Sequence, residues 1–399
     1  MLVSMLQLSA SGGSYPDSLT ATVSTGMNPR GVCCHPDGGT VYLAIGYGFV
    51  PVISTGDWSI EAFIPAGESP SDLCILPSGE LVFVTDDSEG IVRVIDTSTN
   101  TVIDSIIMPY ASSRTIAVPP GDFVAVLHES GQLSLIDTET LEVAGTYWAG
   151  NSPGGLCTLP GGGTVYISDR NSASAGAFSM ASRIMTRFFV GGDTHEVCAL
   201  PDLDLLYLNI RDWDVLAVVS VPDNTLLGEI HDVGTSPGRM CSLASGGYVY
   251  LADDQEDVVR IIRTSDQTVV GTVAVGAEPD GICSSPSGNL IFVANSAGSN
   301  MSVIGMSSTG LEGSPPCIAA PRLSPDPCRG SAALSIELAS SGPVKVRAYT
   351  ADGRLLGVPV DGEFDPGEHE WMLDALPTGL LFIVVETQDL RTVLPLVSI

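Results

Sequence analysis

One phrase of about 42 residues recurs seven times between residues 21 and 311, and its clearest copies read GVCCHPDGGTVYLA, DLCILPSGELVFVT, GLCTLPGGGTVYIS and GICSSPSGNLIFVA. Each copy holds a run that ends at a Pro-x-Gly turn, then a second run of the Val-Tyr-Leu kind. A third run follows, closed by a Thr- and Asn-rich turn, as in IVRVIDTSTNTV at 91–102. Inside these runs apolar residues alternate with a period of two, while Gly, Pro, Asp, Asn and Ser collect between them. That is the pattern of short antiparallel strands. Helical periodicity is almost absent.

The register is set by the prolines before the first strand of a copy, Pro29, Pro70, Pro153, Pro237 and Pro279, whose gaps of 41, 83, 84 and 42 leave room for two degenerate copies. Both are present, at SSRTIAVPPGDFVAVL and THEVCALPDLDLLYLN. Repeats of about 40 to 50 residues with four strands each build radial propellers, in which every blade buries its faces against its neighbours. The expected fold is therefore all-β, a seven-bladed β-propeller, and the alternating strands beyond it are expected to form a small β-sandwich. The seventh copy stops after its third strand, at MSVIGMSS, whereas SLTATVSTG at 18–26 resembles the fourth strand that precedes the other copies. The N-terminal strand is expected to complete the last blade and so remove an exposed sheet edge.

The repeat resembles that of the YVTN family of seven-bladed propellers. At the place of the family's Tyr-Val-Thr-Asn block stand Tyr42–Ile45, Phe83–Asp86, Ala125–His128, Tyr166–Asp169, Tyr207–Ile210, Tyr250–Asp253 and Phe292–Asn295. The resemblance covers about three quarters of the chain and implies a fold more than an activity, since propellers of this look include surface-layer and adhesion proteins, redox subunits, lactonases and a lyase.

The chain divides by composition. Residues 1–15 read as the stub of a secretory leader without its basic start. The propeller occupies 16–311, a Pro-rich linker 312–325 and a second domain 326–399, with alternating strands AALSIELA, PVKVRAYT, RLLGVPV, EHEWML and GLLFIVVE. This tail is similar to the Ig-like C-terminal domain shared by flagellar hook-capping proteins and type IX secretion sorting domains. The likeness runs through the Pro-x-Pro at 325–327, the Asp352-Gly353-Arg354-Leu355 turn and Leu376-Pro-Thr-Gly379. It implies sorting or anchoring, and secretion or attachment to the cell surface. The periplasm and cytoplasm are the alternative locations. At the C-terminus the sequence LRTVLPLVSI carries Arg391 alone where the sorting type usually has more basic residues.

The formal charge is −30, with 34 acidic and 10 basic residues up to 311 and 12 and 6 beyond, and Lys345 is the sole lysine. A field of that sign excludes nucleic acid and anionic membrane as natural partners, and no apolar run approaches the length of a membrane span. A solvated acidic surface explains most of it. No cofactor is required, and calcium or magnesium are the cations such a chain would take, at Asp86-Asp87-Ser-Glu89 or Asp253-Asp254-Gln-Glu256-Asp257. Neither run has the spacing of a known calcium loop, so no metal ligand set is assigned.

Six of the nine cysteines, Cys33, Cys74, Cys157, Cys198, Cys241 and Cys283, fall at one place in the repeat, where the third copy has Ile116. They read as small packing residues on the strand nearest the axis rather than disulfide partners. Cys317 and Cys328 flank the Pro-rich segment and are the one candidate disulfide. GNSPG at 150–154 and GTSPG at 234–238 match a nucleophile motif, but the proline after each serine forbids its strand-to-helix elbow. The five histidines, His35, His128, His195, His231 and His369, occupy unlike places in the repeat and lack metal-ligand spacing.

The two residues after each blade-opening turn should ring the mouth of the central channel. In blade order they are Arg30-Gly31, Ser71-Asp72, Ser113-Arg114, Gly154-Gly155, His195-Glu196, Gly238-Arg239 and Asp280-Gly281. The resemblance implies glycine at the second place, yet Asp72, Arg114, Glu196 and Arg239 stand there. Arg30, Asp72, Arg114, His195, Glu196, Arg239 and Asp280 are therefore the candidate ligand-binding residues. One reading pairs them on neighbouring blades, Asp72 with Arg114, Glu196 with Arg239 and Asp280 with Arg30, as packing ion pairs. The other is a polar funnel where Arg114 and Arg239 bind a carboxylate or phosphate and His195 or Glu196 moves a proton. His195 and Glu196, being sequence neighbours, should point to opposite faces of their strand. The leading functional expectation is an exported or cell-surface binding protein, a monomer recognising a protein or glycan. The alternative is a channel-mouth enzyme of lyase or lactonase type acting on an anionic small molecule.

Overall fold

The computed structural model describes residues 15–200 and 203–306, and in the tail 322–324, 328, 330–338, 341–350, 355–387 and 391–398. Seven four-stranded antiparallel sheets follow one another between Ser18 and Gly305, each a simple meander. The seventh is closed by Ser18–Ser24, which pairs antiparallel with Asn300–Gly305, so the N-terminal strand does complete the last blade. The degenerate third and fifth copies form ordinary blades, opened by Ser112–Val118 and Thr194–Leu200.

Seven apolar clusters lie between blades, each drawing side chains from two adjacent sheets. The aromatic residues that open the second strands explain why the repeat keeps them. Tyr42, Phe83, Tyr166, Tyr207, Tyr250 and Phe292 are all buried. At roughly 1.5–3 kcal/mol for each large apolar side chain removed from water, this recurring contact holds the ring of blades together.

Each innermost strand starts at one face of the ring, here called the mouth face, and the antiparallel meander brings the second strand back to it. The hairpins joining second to third strands, and the ends of the fourth strands, therefore also lie on the mouth face. The Pro-x-Gly turns lie on the far face.

All seven innermost strands bulge at their start, where the register slips by one residue against the second strand. A bulge inserts an unpaired residue and re-aims side chains. The tail forms two small sheets. Arg322–Ser324, Ser331–Leu338 and Gly367–Asp374 make one, and Leu355–Phe364, Gly342–Thr350, Gly379–Glu386 and Arg391–Ser398 the other. Leu334, Ile336, Val346, Ile383 and Leu396 share one core with the fully buried Cys328. Its expected disulfide partner Cys317 lies outside the described residues, as do the leader up to residue 14, most of the Pro-rich linker, the Pro-x-Pro and the turn at 351–354. Among the described residues no helix is long and apolar enough to cross a membrane.

Candidate functional site

The bulges decide how the channel mouth is built. In blade 5 they overturn the expectation that His195 and Glu196 point apart, because the extra residue breaks the alternation and both line the mouth. Asn209 on the second strand pins the bulge. Its Oδ1 accepts the backbone N–H of His195 at 3.1 Å and of Glu196 at 2.6 Å, and its Nδ2 donates to the carbonyls of Pro237 and Gly238 on blade 6. Thr85 and Ser168 do similar work with hydroxyls, accepting the N–H of Asp72 and of Gly155.

Six of the seven candidate residues reach one ion network or the cavity above it, but the three expected pairs, Asp72 with Arg114, Glu196 with Arg239 and Asp280 with Arg30, are not the ion pairs formed. Arg114 of blade 3 reaches past blade 4, and its Nη2 donates to Oε1 of Glu196 on blade 5 at 3.2 Å. Arg239 of blade 6 crosses the channel to Asp72 of blade 2, with Nη1 to Oδ1 at 2.8 Å, and its Nε lies 3.0 Å from Oδ1 of Asp280 on blade 7. On blade 3 Asp72 accepts the backbone N–H of Thr115, at 3.0 Å, rather than pairing with Arg114. Arg30 turns outward to Asp87, 2.6 Å away, rather than to Asp280.

Reach is the physical reason. Near the axis the inner strands converge, so a long guanidinium side chain spans the channel, while blade 4 contributes only Gly154-Gly155. A Cβ on Gly155 would collide with the Glu196 carboxylate, so the glycine makes the space through which Arg114 and Glu196 meet.

This network is deeply buried, with the Arg239 and Asp72 side chains 13% and 10% exposed. Burial alone would lower the Arg239 pKa, but Asp280, Asp72 and Glu196 outweigh it and raise it, so the guanidinium is held charged. The network divides the channel. On its far side lies a bore of about 580 Å3, walled by Cys33, Cys74, Cys157, Cys198, Cys241, Cys283 and aliphatic neighbours, and bounded by Pro36, Pro77, Pro119 and Pro160. These cysteines are unpaired, as their reading as packing residues requires. Burial pushes the Cys74 and Cys198 thiols up to about 12 and the other four well above the usual thiol range.

On the mouth side lies a cavity of about 420 Å3, lined by Arg114, His195, Glu196, Arg239 and Asp280, and by Arg170, Arg211, Asp254 and Glu278. Of the last four, the sequence pointed to Asp254 alone, and only as part of an acidic run. Arg170, Arg211 and Asp254 occupy the place just after the second strand, one residue beyond the Tyr-Val-Thr-Asn block. Across the seven copies that place holds Gly46, Asp87, Glu129, Arg170, Arg211, Asp254 and Ser296. Arg211 forks onto Asp254, its Nη2 donating to both carboxylate oxygens at 2.9 and 2.7 Å.

The acidic runs considered for calcium are engaged within the fold. Asp86 accepts the backbone N–H groups of Glu68, Ser69, Ser88 and Glu89, and Asp253 accepts those of Thr235, Gln255 and Glu256 and an Arg260 bond at 2.8 Å. Asp87, Glu89, Asp254 and Glu256 pair with Arg30, Arg93, Arg211 and Arg260. Among the described residues no group of three or more His, Cys, Asp or Glu side chains is placed to hold a metal ion.

No family model and no curated protein matches the sequence. Solved structures do match it in shape. A chain of Kuenenia stuttgartiensis hydrazine synthase superposes with a TM-score of 0.63 at 16% identity, over 76% of this chain and 99% of that one. The β-propeller domain of Myceliophteria thermophila Cps50 (Swd1) gives 0.64 at 13% identity, over 73% and 100%. At such identities the likeness establishes the fold, an all-β seven-bladed propeller, and carries nothing of those proteins' chemistry.

Proposed function

We propose that this chain is a binding propeller that recognises a protein or glycan through its mouth face. One observation carries the reading. Large apolar side chains stand exposed on that face across consecutive blades: Tyr47 on blade 1, Ile107 and Tyr110 after blade 2, Trp148 on blade 3, Phe189 on blade 4 and Trp213 on blade 5. Ile107 is 80% exposed, Phe189 66%, Trp213 54% and Trp148 53%. Exposed aromatic residues grouped on one face mark recognition surfaces, where Trp and Tyr supply most of the binding energy. Blades 6 and 7 present Asp254, Glu256, Asp257 and Glu278 instead, so the arc has a defined end.

The likeness of the repeat to the YVTN family, and of the tail to hook-capping and type IX sorting domains, extends the reading. The protein acts outside the cytoplasm, as a monomer, with the tail as an Ig-like sorting or anchoring module. The engagement of Arg114 and Arg239 with carboxylates favours binding over the lyase or lactonase alternative, which needs those guanidinium groups for substrate.

The test is binding of the full chain to a glycan array, and to cell-surface material before and after protease treatment. A saturable signal lost in the Trp148→Ala/Phe189→Ala double variant, and kept in Ile184→Ala on the far face, supports the mouth face. A signal indifferent to the aromatic pair rejects it.

A further inference from the structure

The ion network leaves one guanidinium over. Arg170 lines the mouth cavity together with Arg114, Arg211 and Arg239, and among the described residues no carboxylate lies within ion-pair distance of it. Two other arginines that line the cavity keep buried donors without an acceptor among the described residues, namely Arg114 Nε and Arg239 Nε and Nη2. Arg239 Nε, though 3.0 Å from Asp280, is not aligned for a hydrogen bond. Four arginines around one cavity are unexpected in a chain of net charge −30. A cavity of about 420 Å3 is of a size that small-molecule sites commonly have.

We propose that the mouth cavity binds a small oxyanion, a carboxylate or phosphate group held by Arg170 with His195 at its edge. This goes beyond the docking surface, and neither reading depends on the other, since Arg170 lines the cavity and the aromatic arc lies on the rim.

The electrostatics of the site agree with the geometry. Burial, and then Arg114 and Arg211, lower the pKa of Arg170, while the Glu196 and Glu129 carboxylates act the other way. Burial, and then Arg170 and Arg211, hold the His195 imidazole below its ordinary value, while Asp212 and Glu196 act the other way. An anion on Arg170 cancels that cationic field, so binding should draw a proton onto His195. By linkage, affinity for a carboxylate, which stays ionised across that range, should then rise as pH falls through the imidazole range.

The experiment uses the full chain at constant ionic strength, with inorganic phosphate, glucuronate and neutral glucose as probes. Calorimetry and NMR titration of the histidines are the readouts, with His195 assigned from its lost signal in His195→Gln. Phosphate or glucuronate, but not glucose, should bind and raise the His195 pKa, and which of the two does so identifies the oxyanion. Arg170→Gln should weaken that binding roughly ten- to a hundredfold. In the absence of ligand the same variant should raise the His195 pKa, because a neighbouring cation is gone. An unmoved His195 titration with both anions, equal binding of glucose, or unchanged affinity in Arg170→Gln each overturns the proposal.

Discussion

The same seven inner strands carry two unlike environments, and a single bulge separates them. Past the bulge, six of the seven strands place cysteine at one register position, and the bore is walled by these thiols and aliphatic side chains. At the bulge itself each strand has its own residues, and the charges among them pair with partners one, two or three blades away. The bore repeats because every blade meets the same converging neighbours and only a small side chain fits. The mouth departs from the repeat because its side chains answer to the far wall of the channel, which is a different blade in each case.

That contrast can be broken in three places. The largest effect is expected from Asp72→Ala, which takes away the carboxylate that Arg239 hydrogen-bonds and leaves the buried guanidinium to Asp280, and which should cost about 3 kcal/mol in urea unfolding. Asp87→Ala removes a carboxylate from an arginine pair that is about one-third exposed, and should cost less than about 1 kcal/mol. Equal losses from the two variants would mean that the network across the channel is not the anchor described above.

Next in size is the bore. Cys157→Ala removes one sulfur from a site with room to relax and should cost about 1 kcal/mol, leaving the charged network untouched. With Cys74 and Cys198 pushed up to about 12, almost none of either thiol is ionised at neutral pH. The six bore thiols should therefore react slowly with a thiolate-directed reagent in the native chain, and all six should react once it is denatured without reductant. Fewer than six reactive thiols after denaturation would show that some of these cysteines are bridged.

The smallest effect concerns His128, buried in blade 3 with Nε2 2.8 Å from the Ser134 hydroxyl and Nδ1 3.2 Å from the Ala111 carbonyl. Burial lowers its pKa below the ordinary value of 6.5. The unfolded chain then binds the proton more readily, so stability should fall as pH drops from about 6.5 towards the lower folded value. Thermal melts between about pH 7 and pH 5 should show this fall, and His128→Gln should flatten it. A variant with the same slope would assign the loss to other groups.

Much of the fold was legible because a repeat states each local rule several times. Proline positions, Pro-x-Gly turns and the Tyr or Phe that opens the second strand located every blade, including the two degenerate ones. SLTATVSTG could be assigned to the last blade because it filled a missing place in the pattern. The candidate site was legible only in part. Alignment of the first strands found Asp72, Arg114, His195, Glu196, Arg239 and Asp280, yet missed Arg170, Arg211, Asp254 and Glu278, three of which need the next strand aligned as well.

The sequence by itself determined the number of blades, the closure of the ring and the small thiols along the bore, since each follows from local period, turn chemistry and the space left by identical neighbours. Only the tertiary structure decided which charges meet. Arg239 and Asp72 are 167 residues apart and on blades that do not touch, and they pair because an arginine side chain can span the channel where the strands converge. The same convergence, with Gly155 leaving space for the Glu196 carboxylate, engaged Arg114 and left Arg170 as the guanidinium without a carboxylate among the described residues.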